Sequence, residues 1–194
     1  GAMPAYDKQM KKVLQLLILS VFLTFATVLH WAFATDTIWA VNSLGLIIQA
    51  GAFAGLAYIR RKETLNYIKG LPVYCKYLLI TGLAALGIKA LFHLMLVFPL
   101  LMDISLTIRH FVIGFLHLVM LGFTSLILLS FIMEHFGKKL QRNASLTFLA
   151  GFILTEAMLF GQGLLLYLEE GFLPGFYEIL FVAAALLAIA VIMI

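Results

Sequence analysis

Long apolar runs, each closed at both ends by charges, glycines or prolines, organise the whole chain. Six are long enough to matter: Val13–Ala34, Thr37–Ile59, Lys76–Phe98, Leu106–Met133, Ser145–Leu168 and Pro174–Ile194. About 20 mostly apolar residues in an α-helix cross the hydrocarbon core of a bilayer. The punctuation between the runs supplies helix ends. Asp36, then Asp103 or Ser105, and then Asn143 or Ser145 suit N-caps. Gly137 and Gly171 suit C-terminal caps, and Pro174 suits a first helical turn. The pattern predicts an all-α integral membrane bundle of six transmembrane helices, forming one domain over residues 13–194. Residues 1–12 are expected to be a tag remnant, Gly-Ala-Met-Pro, followed by a short cytoplasmic N-terminus.

Charge orients the spans. Lys8, Lys11, Lys12, Arg60, Arg61, Lys62, Lys69, Lys76, Lys138, Lys139 and Arg142 fall on one side of the predicted membrane, which is 11 of the 13 basic residues. Asp36, Asp103, Glu169 and Glu170 fall on the other, with Arg109. By the positive-inside rule the N-terminus is cytoplasmic, and six spans return the C-terminus to the same side. The longest connection, from Arg60 to Cys75, is either a polar loop or a short surface helix that turns Leu65, Ile68 and Leu71 to lipid and Arg61, Lys62 and Lys69 to phosphate. The last run ends at Ile194 with no basic or aromatic anchor beyond it, so either the helix terminates inside the lipid or the chain is part of a longer one, which is the favoured expectation.

Composition agrees. Of the 194 residues 64% are hydrophobic and 11% charged, with a mean hydropathy of +1.11. A soluble domain is about half apolar and a quarter charged, so lipid is the expected solvent for most of this chain. The net charge of +4 lies at the ends of apolar runs, which fits membrane orientation and gives no reason to expect nucleic acid. The lone Cys75 excludes an intrachain disulfide.

Ionisable side chains inside a membrane are costly, face the bundle interior and find partners. His110 and His117 are seven residues apart, so they share a face and are separated by about 10.5 Å along the axis. Gly114 and Thr124 fall on the same predicted stripe. Lys89 and His93, four residues apart, share a face of the preceding helix. Counted from a turn near Met102, His93 and His110 have matched depth, and so have Lys89 and His117. His30 lies near the outer surface. Glu156, in the middle of the fifth span, is placed to pair with Lys89, and Asn42 and Gln49 share one face of the second span. Two clusters are therefore expected: His30, His93, His110 and Arg109 near the outer leaflet, and Lys89, His117 and Glu156 at mid-membrane.

No Gly-rich phosphate loop, His-Glu-x-x-His, His-x-x-x-His or Gly-x-Ser-x-Gly occurs. "GAFAG", Gly51–Gly55, is a small-xxx-small motif suited to close helix packing. The run "FHLMLVFPLLMDISLTIRHFVIGFLHLVMLGFTS", Phe92–Ser125, resembles segments of multi-spanning bacterial proteins related to haem-copper oxidase subunit I and the NnrS group. The resemblance covers two helices and rests on the histidines of "FH", "RH" and "LH". It lacks the oxidases' His-x-His and paired histidines, and those relatives have about twice as many helices. It implies haem or copper held by His93, His110 and His117 in a bacterial inner membrane protein.

Three functions are compatible with these residues. One is a membrane protein that binds haem through His93, His110 and His117, or a transition metal through His30, His93 and His110. Another is a proton-linked transporter or channel whose polar path runs through Lys89, Glu156, Gln49 and Asn42. The last is a scaffold with no chemistry of its own. Expected partners are membrane lipid and either a second copy of the chain or the other half of a larger membrane protein.

Overall fold

The computed structural model describes residues 5–33, 35–136 and 141–193, with the side chains of 8–29, 33, 35–135 and 142–193. The described residues are helical throughout, apart from short connections. In chain order the helices are α1 (Ala5–Thr24), α2 (Ala26–Ala32), α3 (Asp36–Gly70), α4 (Val73–Met95), α5 (Pro99–Thr107) and α6 (Arg109–His117). A π-helical segment (Leu118–Ser125), α7 (Leu126–Phe136), α8 (Gln141–Tyr167) and α9 (Phe176–Ile192) follow. Among the described residues five stretches are long and apolar enough to cross a membrane: Lys8–Leu29, Asp36–Gly70, Val73–Met95, Arg109–His135 and Arg142–Tyr167. The sixth apolar helix, α9, has 17 residues, about 25 Å at the helical rise, against a hydrocarbon core of about 30 Å. Large apolar side chains such as Phe22, Phe181 and Ile192 stand exposed, as they do where lipid is the solvent.

Several helix ends differ from the sequence expectation. The second span runs unbroken through Arg60–Gly70, so this stretch is neither a loop nor a separate surface helix but the end of a 35-residue helix. Its start is capped by Thr35, whose hydroxyl accepts the Ile38 N–H at 3.4 Å, and Asp36 is the first helical residue. The link expected as a turn near Met102 is the helix α5. α6 starts after Ile108, whose extended backbone, without a side-chain cap, breaks the helix. Asn143 and Ser145 lie inside α8. Gly171 has φ +86°, and Gly175, at φ +74°, precedes α9, which leaves Pro174 outside the helix. Gly137 lies outside the described residues.

The chain forms two compact units. The first comprises residues 1–67 and 90–103, the second 68–89 and 104–194. In the first unit α1 and α3 approach at Gly45, where a Cβ would lie 2.7 Å from the Leu23 Cβ and 2.9 Å from the Thr24 backbone nitrogen. Helix backbones come this close only over a glycine. The buried face of α3 is small and polar as much as greasy: Asn42, Ser43, Gly45, Leu46, Gln49 and Ala52.

The second unit is built on three antiparallel contacts. Along α4 the stripe Cys75, Leu78, Gly82 and Ala85 is buried. A Cβ at Gly82 would meet Ile127 at 2.8 Å, and one at Gly122 would meet the Ala85 Cβ at 3.0 Å. The Ser130 hydroxyl donates to the Cys75 carbonyl at 2.9 Å. α6 and the π segment pack along α8: Phe111 against Gly163, Gly114 against Phe160, and Gly122 against Phe152. α8 meets α9 where a Cβ at Gly151 would lie 2.9 Å from the Ala183 carbonyl oxygen.

The fully buried Gln162 closes the α8–α9 connection. Its Nε2 donates to the Gly171 carbonyl at 3.0 Å, and its Oε1 accepts the Leu173 N–H at 2.8 Å. Replacing Gln162 by Leu strands both backbone groups. The expected loss is about 1–3 kcal/mol of unfolding free energy, to be measured by denaturation in detergent micelles; an unchanged midpoint would show that the loop holds without this clamp.

Candidate functional site

Two sets of polar side chains emerge, one in each unit. In the first, α3 presents Asn42 and Gln49 on its buried face. The Thr27 hydroxyl donates to the Asn42 Oδ1 at 2.7 Å, tying α2 to α3. The His93 Nδ1 lies 2.8 Å from the Gln49 Oε1 and, as an N–H, donates to it. His93 is thus engaged by an amide. The neighbouring Trp39 Nε1, Asn42 Nδ2 and Ser43 Oγ are buried without a hydrogen-bond partner.

The second unit holds Lys89, His110, His117 and Glu156. His110 sits in an aromatic cage: its ring meets Phe172 and Phe176 edge to face, at centroid distances of 5.6 and 5.5 Å. The remaining three converge by register. The α6–α8 contacts pair Phe111 with Gly163, Gly114 with Phe160 and Gly122 with Phe152, so each step forward on one helix is an equal step back on the other. That progression places Glu156 opposite the His117–Leu118 turn. Glu156 also lies four residues from both Phe152 and Phe160, on the stripe of α8 that faces α6.

The same construction holds for α4. Gly82 lies against Ile127 and Ala85 against Gly122. One further turn along that stripe brings Lys89 to the level of Leu118–Val119. By register, Lys89, His117 and Glu156 therefore fall at one level along α4, α6 and α8. Both Glu156 carboxyl oxygens and the His117 Nδ1 are buried without a hydrogen-bond partner. The expected Lys89–Glu156 ion pair is not made in this geometry.

His117 also ends the regular helix. The following eight residues are π-helical. The hydroxyls of Thr124 and Ser125 donate five residues back, to Val119 and Met120 at 3.1 and 2.8 Å. Wider π turns rotate later residues off the α-helical stripe, and such segments often mark functional sites. This is why Thr124, expected on the histidine face, is exposed. The π segment was invisible to helical spacing, and so was the role of Gln162, which reads as one more polar residue in an apolar run.

His93 belongs to the first unit, and His110 and His117 to the second. The side chain of His30 lies outside the described residues. Among the described residues no three His, Cys, Asp or Glu side chains gather closely enough to hold a metal ion. Comparison with family models, curated proteins and solved structures gives no match.

Gly122 is the position that lets α4 and α8 both reach the π segment, since a Cβ there would be 2.6 Å from the Phe152 ring and 3.0 Å from the Ala85 Cβ. Gly122→Val is expected to lower stability by about 1–3 kcal/mol through overpacking. Thermal melts in detergent check it, and a wild-type melt would show that the three helices are not in close contact at this level.

Proposed function

We propose that the protein is a proton-linked transporter or channel, and that Lys89, His117 and Glu156 carry its proton path. The observation that supports this reading most is the Glu156 carboxyl, with both oxygens buried and without a hydrogen-bond partner, at the level that helix register gives to His117 and Lys89. Ionisable groups in apolar helices mark proton relays and substrate paths. A carboxyl without a fixed donor can take up and release a proton without first breaking a structural bond. Imidazole carries a proton on either nitrogen, and the His117 Nδ1 is likewise uncommitted.

The membrane frame of the proposal is six spans, with α9 the shortest, and both chain ends on the basic, cytoplasmic face of a bacterial inner membrane. The charge asymmetry of the connections supports that orientation.

Reconstitution into liposomes carrying a pH-sensitive dye tests the reading. Wild-type protein is expected to dissipate an imposed pH gradient under a potassium–valinomycin clamp. Glu156→Gln is expected to slow this roughly tenfold or more, a barrier increase of at least about 1.4 kcal/mol. Flux equal in the two proteins, or no flux above that of empty liposomes, sinks the proposal. An optical spectrum of the same preparation with a Soret band would favour haem on His93, His110 and His117 instead.

A further inference from the structure

A groove of about 270 Å³ opens between the starts of α4 and α8, lined by Val73, Tyr74 and Tyr77 on one wall and Arg142, Ser145, Leu146 and Leu149 on the other. It belongs to the second unit alone. α4 and α8 each run antiparallel to the α6–α7 rod, so they are parallel to each other and begin at the same membrane surface. Val73 and Arg142 are the first residues of their apolar spans. The groove therefore starts at headgroup level and descends into the acyl region.

Its chemistry changes in the same order. The exposed Arg142 and the rings of Tyr74 and Tyr77 belong to the first turns of the two helices, while the surface inside the groove is almost wholly apolar; tyrosine is enriched where one end of a side chain is wet and the other greasy. Below them Leu146, Leu149 and the side of Tyr77 form an apolar wall. The Ser145 hydroxyl is spent on the Met133 sulfur at 3.1 Å. The volume falls just under the roughly 300–1,000 Å³ of pockets that enclose whole small ligands, so it suits part of one, such as a length of acyl chain.

We infer that this groove binds an anionic phospholipid, with the phosphodiester on Arg142 and one acyl chain between Tyr77 and Leu149. Charge decides between anionic and zwitterionic headgroups. Among the described residues close to the groove in the chain, Lys69, Lys76 and Arg142 outnumber the acid Glu134. A choline or ethanolamine cation would meet this excess of positive charge, whereas a glycerol headgroup leaves the phosphate as the net charge. Guanidinium also grips a phosphate through two parallel hydrogen bonds, which orients the lipid as well as attracting it. The site is independent of the proton path, and its failure would leave that proposal untouched.

Native mass spectrometry of the full chain in detergent tests it, with equimolar phosphatidylglycerol and phosphatidylcholine of identical acyl chains. Phosphatidylglycerol is expected to be retained preferentially. Arg142→Gln, an exposed position, should reduce the preference about fivefold, the factor one basic residue contributes at an anionic surface. Leu149→Trp, which fills the groove, should reduce retention of the lipid while leaving the helical circular dichroism intact. Equal retention of the two lipids, a preference unchanged in Arg142→Gln, or displacement of the bound lipid by millimolar inorganic phosphate would each overturn the proposal.

Discussion

Lipid is as apolar as the side chains dissolved in it, so burial of leucine does little to hold one of these helices to the next. Association falls to close backbone approach and to a few interhelical hydrogen bonds. The close approaches in both units follow this rule. Gly45 brings α1 onto α3, Gly82 and Gly122 bring α4 onto the π segment and α7, Gly114 and Gly163 admit phenylalanine rings between α6 and α8, and Gly151 seats α9. At each, a side chain one carbon larger would crowd backbone, ring or aliphatic side-chain atoms of the neighbouring helix. Specific hydrogen bonds add to these contacts: Thr27 to Asn42, His93 to Gln49, Ser130 to the Cys75 carbonyl, and Gln162 to the loop before α9. Each joins elements that hydrophobicity alone would leave free to slide.

That division explains what was legible in the sequence. The apolar runs and their charged ends depend on local composition, so the all-helical class and the apolar spans could be read directly. The face shared by Asn42 and Gln49 is a matter of helical period and needs no tertiary information. Boundaries were harder because an end depends on competition between neighbours. Arg60–Gly70 carries enough charge to look like a loop, yet nothing in it breaks a helix, and α3 simply continues. The α5 helix and the extended Ile108 beyond it arise from how Pro99–Thr107 folds back, and no periodicity reports that. The histidine stripe failed at Thr124 because the reckoning used one α-helical pitch through residues that wind as a π-helix.

Within the second unit the π segment and the polar level are one feature. Five residues of glycine, threonine, serine and bulky apolar side chains, Leu121–Ser125, contain the hydroxyls that satisfy π-type carbonyls and the glycine that accepts Phe152 and Ala85. The wider winding begins directly after His117, where the α6 register hands over to the contact with α4. A regular α-helix there would carry Thr124 inward and turn the residues between in sequence, so the imidazole and the packing glycine could not keep their present relation. The irregular winding lets one rod present His117 at the level of Glu156 while Gly122 stays wedged between two neighbours.

Stability does not account for the buried Glu156 carboxyl. Insertion measurements put the cost of a charged residue at a helix centre near 2.5–3.5 kcal/mol. Apolar residues of the same size would avoid it, because shape-matched replacement of buried ionic groups is often neutral or stabilising. A structural ion pair would at least return part of the cost, but the Glu156 oxygens accept no hydrogen bond and so return none. Helix adhesion at this level is already supplied by Gly114, Gly122 and the rings of Phe152 and Phe160, without help from charge. A carboxyl retained under those conditions is carrying a cost that packing did not require, and a group whose value lies in changing its protonation state is the kind that would be kept there.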